Sequence, residues 1–244
     1  TVSAYTRLID GMAPDVLVAH HGIYVPQGLA ASVARAKGVR VVTWNPAYRK
    51  HCFVFSHDDT YHRTLLTEPV EIWRDAPLSD AQRDRVKDYL WSRREGRHDW
   101  IRFHRDPDYA LTADLAALGF DDAKPLIVAL TNVFWDAQLH YPSNAFAGQA
   151  GWLINTIEYF AQRPDLQLAI RIHPAEISGS PPSRQRAADV IAARFPTLPA
   201  NIKLIGPESA LSTYALCDHA DAALIYGTKT GVELSAVGIP VIVA

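Results

Sequence analysis

An ionisable cluster follows one of the apolar segments of the chain. Residues 166–173 read LQLAIRIH, and the next residues include Pro174 and Glu176. Arg171 and His173 are two residues apart, so both would emerge on one face of a strand. Because proline keeps the preceding residue extended, Pro174 should present the imidazole at the strand end. This arrangement suits an anion, although an isolated His-Pro is more often a surface turn in which Arg171 would pair with Glu176.

A second candidate anion site lies in the stretch YGTKTGVE, residues 226–233. Thr230 and Glu233 fit a T-x-x-E capping box, which predicts the start of a helix. The hydroxyls of Thr228 and Thr230, the ammonium of Lys229 and the backbone N–H of Gly231 could together hold a phosphate. The plainer interpretation is helix capping, with Gly231 needed for close packing and Lys229 in solvent.

The elements that must position these residues alternate between strand and helix patterns, which is typical of a parallel α/β architecture. The predicted strands are 15–20, 39–44, 125–131, 166–173, 202–206, 222–226 and 239–244. Helices are predicted over 26–37, 144–162, 209–217 and 230–237. Ligands of such sheets bind outside the carboxyl ends of the strands. We therefore expect Asn132 and Asp136 to share one crevice with the two motifs.

The stretch 74–108 differs from the rest of the chain because it has no strand pattern. It carries nine basic and eight acidic residues, which nearly cancel. A capping box from Ser79 to Gln82 opens a helix there. We interpret the stretch as a solvated helix plus linker and not as an anion-binding face. The composition change predicts a domain boundary within 105–124.

The expected organisation is therefore two domains. Residues 1–110 would form the N-terminal domain, which includes the charged helix and linker of 74–110. Residues 111–244 would form the C-terminal domain. Both ends of the chain look cut within a domain, so we expect a fragment of a longer protein.

The composition excludes several classes of protein. The 244 residues are 48% hydrophobic and 20% charged, as in a globular protein with a sizeable core. A net charge of -2 argues against a nucleic-acid-binding protein. No apolar run approaches the roughly 20 residues of a membrane-spanning helix. Two distant cysteines suggest a reduced, cytoplasmic compartment. The adjacent His20 and His21 would point to opposite faces of a strand, so we predict no structural metal. We also predict no cofactor.

Together, these motifs resemble a known family. RIHPAE, CDHADAALIY and GTKTGVELSAVGIPVIVA are similar to the C-terminal half of GT-B glycosyltransferases of the capsule polysaccharide biosynthesis group, which includes bacterial Kdo transferases. LTNVFWDAQ, HHGIYVPQG and FSHDDTYHRTLL are similar to the same group, and 74–108 is the weakest part. The resemblance implies an α/β fold with two Rossmann-like parallel-sheet domains (GT-B), here incomplete at both ends. The N-terminal domain would be the acceptor side, and the C-terminal domain would bind the nucleotide-sugar donor.

The resemblance also implies roles for residues of the C-terminal half. His173 would contact the donor phosphate, Thr228 would supply one hydroxyl of a Ser/Thr pair, and Glu233 would bind the donor ribose. Lys229 stands where relatives have the second hydroxyl. Whether Thr230 completes the pair is left open, and a lysine suits a diphosphate donor as well as a monophosphate.

Candidate catalytic residues come from the strand end at His21, from Asp59 in SHDDTYH, and from Asp136. The alternatives are structural, because a strand-end histidine can bond to neighbouring carbonyls and an Asp-Asp pair can cap a helix. Asn132, Arg171, His173, Glu176 and the stretch 228–233 remain candidate substrate-binding residues.

The favoured hypothesis is a cytoplasmic glycosyltransferase, with peripheral association at the inner membrane as an option. It would move a sugar from a nucleotide donor, such as CMP-Kdo, to a growing capsule or surface polysaccharide, free or lipid-linked. One alternative is a nucleotide-sugar 2-epimerase, which needs no acceptor. Another is a non-catalytic GT-B-like module that binds a nucleotide.

Overall fold

The structure is a computed structural model of the chain, and it describes residues 1–47, 51–60, 62–63, 69–96, 117–136, 144–179 and 182–244. The chain divides into two compact units, Thr1–Ser79 and Asp80–Ala244. The sequence predicts a boundary within 105–124, and residues 105–116 of that range lie outside the described residues. That boundary stays a prediction.

The first unit has a small mixed sheet of three described strands. In chain order its elements are α1 (Val2–Met12), β1 (Val16–His20), α2 (Gln27–Ala36), β2 (Arg40–Pro46), β3 (Phe53–His57) and α3 (Glu71–Arg74). The strand order is β1-β2-β3, with β1 parallel and β3 antiparallel to β2. Ile9, Ala31, Ala34 and Val41 form a buried cluster between the first two helices and the sheet. The predicted strands 15–20 and 39–44 are confirmed.

Strand β3 is not predicted from the sequence. Six residues separate Pro46 from Phe53, a link that suits a hairpin but not a parallel crossover, which needs a dozen or more residues. Ala47 N donates to Cys52 O at 2.9 Å and closes this turn. The N-terminal sheet is therefore mixed and not wholly parallel.

The second unit contains a five-stranded, wholly parallel sheet. Its strands are β4 (Leu126–Leu130), β5 (Gln167–Arg171), β6 (Ile202–Ile205), β7 (Ala222–Ile225) and β8 (Val241–Val243). Its described helices are α4 (Asp80–Arg94), α5 (Gln149–Ala161), α6 (Ala175–Ser178), α7 (Ala187–Arg194), α8 (Thr213–Asp218) and α9 (Thr230–Ala236). All five strands predicted for this half are confirmed. No helix in the described part of the chain is long and apolar enough to cross a membrane.

Both faces of this sheet are buried, as a parallel sheet requires. Leu168, Ile170 and Ile172 of the β5 segment pack in one cluster with residues of α5 and α7. Ala169 packs in the other cluster, with residues of α8 and α9. A fully buried Leu or Ile contributes about 1.5–3 kcal/mol to folding, so these two cores hold the strand ends rigidly.

The strand order is β6-β5-β4-β7-β8. From β4 the chain builds one side of the sheet with β5 and β6, and it then crosses to the other side for β7 and β8. The loops after β4 and β7 therefore leave in opposite directions, which opens a crevice at the carboxyl ends of these two strands. In folds of this kind the crevice is the usual ligand site.

Candidate functional site

A cavity of about 80 Å³ lies at this crevice. It brings together residues that follow β4, β5 and β7 with residues from two helices of the same unit. The lining residues are Arg93, Leu130, Thr131, Arg171, His173, Pro174, Thr213, Tyr214, Thr228 and Thr230. Both sequence motifs therefore contribute to one cavity.

Thr131 ties the ends of β4 and β5 together. Its backbone N–H donates to Arg171 O at 3.1 Å, and its Oγ1 accepts from the backbone N–H of His173 at 3.0 Å. The side chain is only 2% exposed. The sequence identifies Thr131 only as the end of a strand, because no local pattern shows that its hydroxyl holds the backbone of His173.

The imidazole of His173 is oriented by the helix that follows it. Nδ1 accepts from Ala175 N at 3.0 Å, so the proton of the neutral ring lies on Nε2. Pro174 has φ −57° and ψ −28° and precedes the first residue of α6. The first amide of that helix therefore fixes the ring. An Nε2–H donor of fixed direction suits a phosphate oxygen.

Arg171 is almost completely buried, with 2% of its surface exposed. Its guanidinium donates to the carbonyls of Gly206, of Ser209 at 3.0 Å and of Leu211 at 3.4 Å. Burial lowers the pKa of Arg171 to about 10, and the charge of Glu208 opposes this shift. Arg171 thus stabilises the loop between β6 and α8, and it also adds positive charge to the wall of the cavity.

Glu176 belongs to α6 and is 1% exposed, and its carboxyl lies at the start of α7. Its Oε1 accepts from Ala187 N at 3.0 Å, and its carbonyl accepts from Ser183 N at 2.9 Å. Burial raises the pKa of this carboxyl. Among the described residues, Glu176 makes no ion pair with Arg171, so the suggested turn pair is not formed. Contact of Glu176 with a donor stays a prediction.

The residues after β7 place two hydroxyls in the cavity. Thr228 Oγ1 lies 3.4 Å from Thr230 Oγ1, and the backbone N–H of Thr230 donates to Thr228 Oγ1 at 3.4 Å. The two hydroxyls thus lie close together in the cavity, and their role as a phosphate-binding pair stays a prediction. A Cβ on Gly231 would lie 2.2 Å from Ile225 Cδ1, so glycine allows the start of α9 to pack closely against β7.

Helix α9 begins at Thr230 as predicted, but the predicted capping box is wrong. The N-cap is Lys229, and it has no side-chain cap. The Glu233 carboxylate instead accepts from Arg93 Nε at 2.9 Å through Oε1 and from Tyr214 OH through Oε2. Glu233 is only 5% exposed, and burying a carboxylate without such partners would be strongly destabilising.

Lys229 joins the same network. Its Nζ lies 3.7 Å from Glu233 Oε1 and 5.4 Å from the centre of the Tyr89 ring. Burial lowers the pKa of Lys229 to about 8, and the nearby Arg93 acts in the same direction while Glu233 opposes it. Burial and the Glu233 charge raise the pKa of Tyr214, so this hydroxyl stays protonated and donates.

Arg93 is a cavity residue that the sequence did not indicate. It belongs to the last turn of α4, whose side chains at Asp80 to Asp88 are exposed, as the sequence predicts. The Arg93 side chain, however, is only 18% exposed, and the adjacent Arg94 pairs with Asp218. A basic last turn is common in helices, so no sequence signal reveals that this end packs against α8 and α9.

Comparisons with known proteins bear on the fold. No family model and no curated protein matches the chain. KpsC of Thermosulfurimonas dismutans, a beta Kdo 2,4 transferase, is similar in structure, with a TM-score of 0.55 and 13% identity over 93% of this chain and 67% of that chain. The fold is α/β of the GT-B type. This identity shows the fold alone, and the chain spans about two thirds of KpsC.

A weaker likeness links the chain to UDP-GlcNAc 2-epimerase from Neisseria meningitidis, whose structure contains UDP-GlcNAc. The TM-score is 0.37 and the identity is 16%, over 99% of this chain and 62% of that chain. A TM-score at this level carries no argument about function. The fold predicted from the sequence is confirmed, while membership of the capsule polysaccharide group stays a prediction.

Two predicted site residues follow β4 beside the cavity. Asn132 O accepts from Gln149 Nε2 at 2.9 Å, and Asn132 Oδ1 is buried without a hydrogen-bond partner among the described residues. Asp136 N donates to Val133 O at 3.0 Å and closes the turn after the strand. Neither belongs to the residues described as lining the cavity.

The loop after β4 also lines a larger cavity of about 390 Å³. Its lining residues are Phe134, Trp135, Pro182, Arg184 and Gln185. Trp135 is 54% exposed, while its Nε1 donates to Ser183 Oγ at 3.1 Å and fixes the plane of the indole. The loops that follow β4 and α6 therefore present an oriented aromatic surface.

The first unit holds the other two predicted catalytic residues. His21 has φ 58°, its backbone N–H donates to Trp44 O at 3.0 Å, and its ring lies 4.0 Å from the ring of His20. Asp59 Oδ1 accepts from Thr60 N at 2.8 Å. Their catalytic roles stay predictions. No group of three or more His, Cys, Asp or Glu side chains suited to a metal ion occurs in the described part of the chain.

Proposed function

We propose that the cavity at the ends of β4, β5 and β7 binds the phosphate of a nucleotide-sugar donor, and that the chain belongs to a glycosyltransferase. The observation that carries this proposal is the meeting of the oriented His173 with the Thr228 and Thr230 hydroxyls in one cavity. The two motifs lie more than 50 residues apart in the sequence, yet they supply hydrogen-bond donors to the same small volume.

The chemistry of the cavity suits a departing phosphate. In glycosyl transfer the bond between the anomeric carbon and a phosphate oxygen breaks, and the electron pair leaves with the phosphate. Donors that are already oriented stabilise the charge that develops there, and removal of one such donor typically lowers kcat by about 10²–10³. His173 and the two threonines are placed to act in this way, with Arg93 and Arg171 adding positive charge.

The cavity of about 80 Å³ fits a phosphate group but is too small for a whole nucleotide sugar, since pockets for drug-sized ligands measure roughly 300–1,000 Å³. The rest of the donor would lie in the open crevice. The larger cavity at Trp135, which uses the same loop after β4, gives room for a base or a sugar ring.

The finer assignment is a CMP-sugar donor such as CMP-Kdo and a capsule or surface polysaccharide acceptor, free or lipid-linked. It is supported by the resemblance of the His-Pro and GTKTGVE motifs and by the fold likeness to KpsC. His21, Asp59 and Asp136 are the candidates to receive the proton of the acceptor hydroxyl. Such an enzyme would work in the cytoplasm or at the inner face of the membrane.

Thermal stability with nucleotides tests the proposal. A ligand that binds only the folded protein at 100 times its Kd stabilises it by about 2.7 kcal/mol. We expect CMP, CDP, UDP or GDP to raise Tm, and we expect His173→Ala to abolish the rise. His219→Ala is the matched control, because His219 is an exposed histidine at the end of α8. If none of the four nucleotides raises the Tm of the wild-type protein, the proposal fails.

A second assay separates the alternatives. Incubation with UDP-GlcNAc and no acceptor yields an epimer only if the protein is a 2-epimerase. Nucleotide binding without transfer or epimerisation in the complete protein would identify a non-catalytic module. Transfer that requires both a donor and a glycan acceptor is the result that we expect.

A further inference from the structure

We propose that Arg93 of α4 is a phosphate-binding residue, supplied from outside the sheet and held in place by Glu233. This inference rests on the proposed function, because it names a further residue for the same phosphate. The sequence predicts α4 as a solvated helix, and neither sequence motif includes it. The structure nevertheless places Arg93 among the residues that line the cavity, together with His173 and Thr228.

The contacts of Arg93 suit such a role. Its Nε donates to Glu233 Oε1 at 2.9 Å, and the side chain is 18% exposed. A guanidinium carries five N–H donors in a rigid fork, and it binds phosphate in the same bidentate way as carboxylate. The contact through Nε fixes the position of the fork beside the cavity.

Glu233 is arranged so that Arg93 can also serve a ligand. Tyr214 OH donates to Glu233 Oε2, and Lys229 Nζ lies 3.7 Å from Oε1. When a phosphate shares the charge of the Arg93 guanidinium, these two groups still accompany the buried carboxylate. This matters because a buried charge left without partners is strongly destabilising. An anion can therefore bind beside this network without leaving the Glu233 carboxylate unpaired.

Arg94 lies in the same turn as Arg93, and its described contacts are purely structural. It pairs with Asp218 and its side chain is 17% exposed, close to the value for Arg93. It also lies 5.7 Å from the Tyr214 ring centre. Arg94 does not appear among the described residues that line the cavity. The two neighbours thus share helix, burial and ion pairing and differ in access to the cavity.

This pair defines the experiment. Isothermal titration of wild type, Arg93→Gln and Arg94→Gln would use pyrophosphate, CMP and UDP, with cytidine and uridine as ligands that lack phosphate. Loss of a hydrogen bond to a charged group should raise the Kd of the phosphate compounds about tenfold or more in Arg93→Gln. Arg94→Gln should leave every Kd within about twofold of wild type, and nucleoside binding should be the same in all three proteins.

The outcomes separate this inference from the proposed function. If wild type binds CMP or UDP and Arg93→Gln binds it equally well, the inference is wrong and the proposed function stands. If only pyrophosphate binds, and binds through Arg93, the inference stands and a nucleotide ligand is excluded. If no phosphate compound binds, both fail. Equal losses in both variants would also overturn the inference, because they would indicate a structural effect.

Urea unfolding of each variant shows whether it is folded, so that the Kd values of folded proteins are compared. Should Arg93→Gln not fold, Arg93→Lys replaces it, since lysine keeps the charge but cannot form the fork. We expect Arg93→Lys to bind phosphate compounds more weakly than wild type while binding nucleosides equally. Wild-type phosphate affinity in Arg93→Lys would overturn the inference.

Discussion

The affinity of the cavity for a phosphate should depend on pH through Lys229. The pKa of this lysine is lowered to about 8, first by burial and then by the charge of Arg93. A group with pKa 8 is about 90% protonated at pH 7 and about 10% protonated at pH 9. If binding requires the ammonium, Kd rises about tenfold between these values, which is a loss of about 1.4 kcal/mol.

The sign of this effect follows from the direction of the shift. A lowered pKa means that the folded protein disfavours the ammonium, so the charge of Lys229 opposes folding below pH 8, and the opposition fades as the pH rises toward the unfolded value. A bound phosphate compensates the charge and therefore stabilises the protein more at pH 7 than at pH 9. Two groups beside Lys229, Arg93 and Tyr89, keep their charge state in this window because their pKa values are raised, and the same holds for Tyr214 of this network.

Calorimetric titration of CMP at half-unit steps from pH 7 to pH 9 measures the effect. Lys229→Arg is the control, since arginine stays charged across the window and should give a nearly constant Kd. A wild-type Kd that does not change over this range would refute the reasoning. So would a Lys229→Arg protein with the same slope as wild type, because the titrating group would then lie elsewhere.

Two further predictions concern stability and use urea unfolding. Arg171→Met should lower the free energy of unfolding by about 2–4 kcal/mol, since three carbonyls lose their donor; wild-type stability combined with lost CMP binding would instead make Arg171 a ligand-binding residue. Gly231→Ala should cost about 1–3 kcal/mol, because its Cβ would lie 2.2 Å from Ile225 Cδ1. Gly227→Ala is its control, with nothing within 4 Å of the added atom, and it should stay within about 0.5 kcal/mol of wild type. Equal stability of the two glycine variants would contradict the packing argument.

Much of the second unit could be predicted from the sequence because its strands are buried on both faces. Buried strands such as LIVAL and QLAIR are continuous apolar runs with few polar interruptions, and helical patterns separate them. Strand β3, by contrast, has the exposed residues Phe53 and Phe55 and runs into the polar residues that follow it. Its pairing depends on the turn and on β2, which is tertiary information.

The site could be predicted only where local geometry decides it. His173 and Thr228 follow strand ends, and the parallel topology brings such ends to one edge of the sheet. The position of Arg93 depends on how the end of α4 packs against α8 and α9, about 140 residues later in the chain. No pattern within α4 encodes that contact, because a basic last turn is common in helices.

Arg171 illustrates why residue type alone could not assign a role. The strand pattern places Arg171 and His173 on one face, and both do line the cavity. They differ because Arg171 lies within β5, next to β6, where the carbonyls of the following loop come within reach of its guanidinium. His173 lies two residues beyond the strand, where the first amide of α6 fixes its ring. Arg171 thus stabilises the wall of the cavity, and His173 is the side chain at this strand end that is suited to contact a ligand.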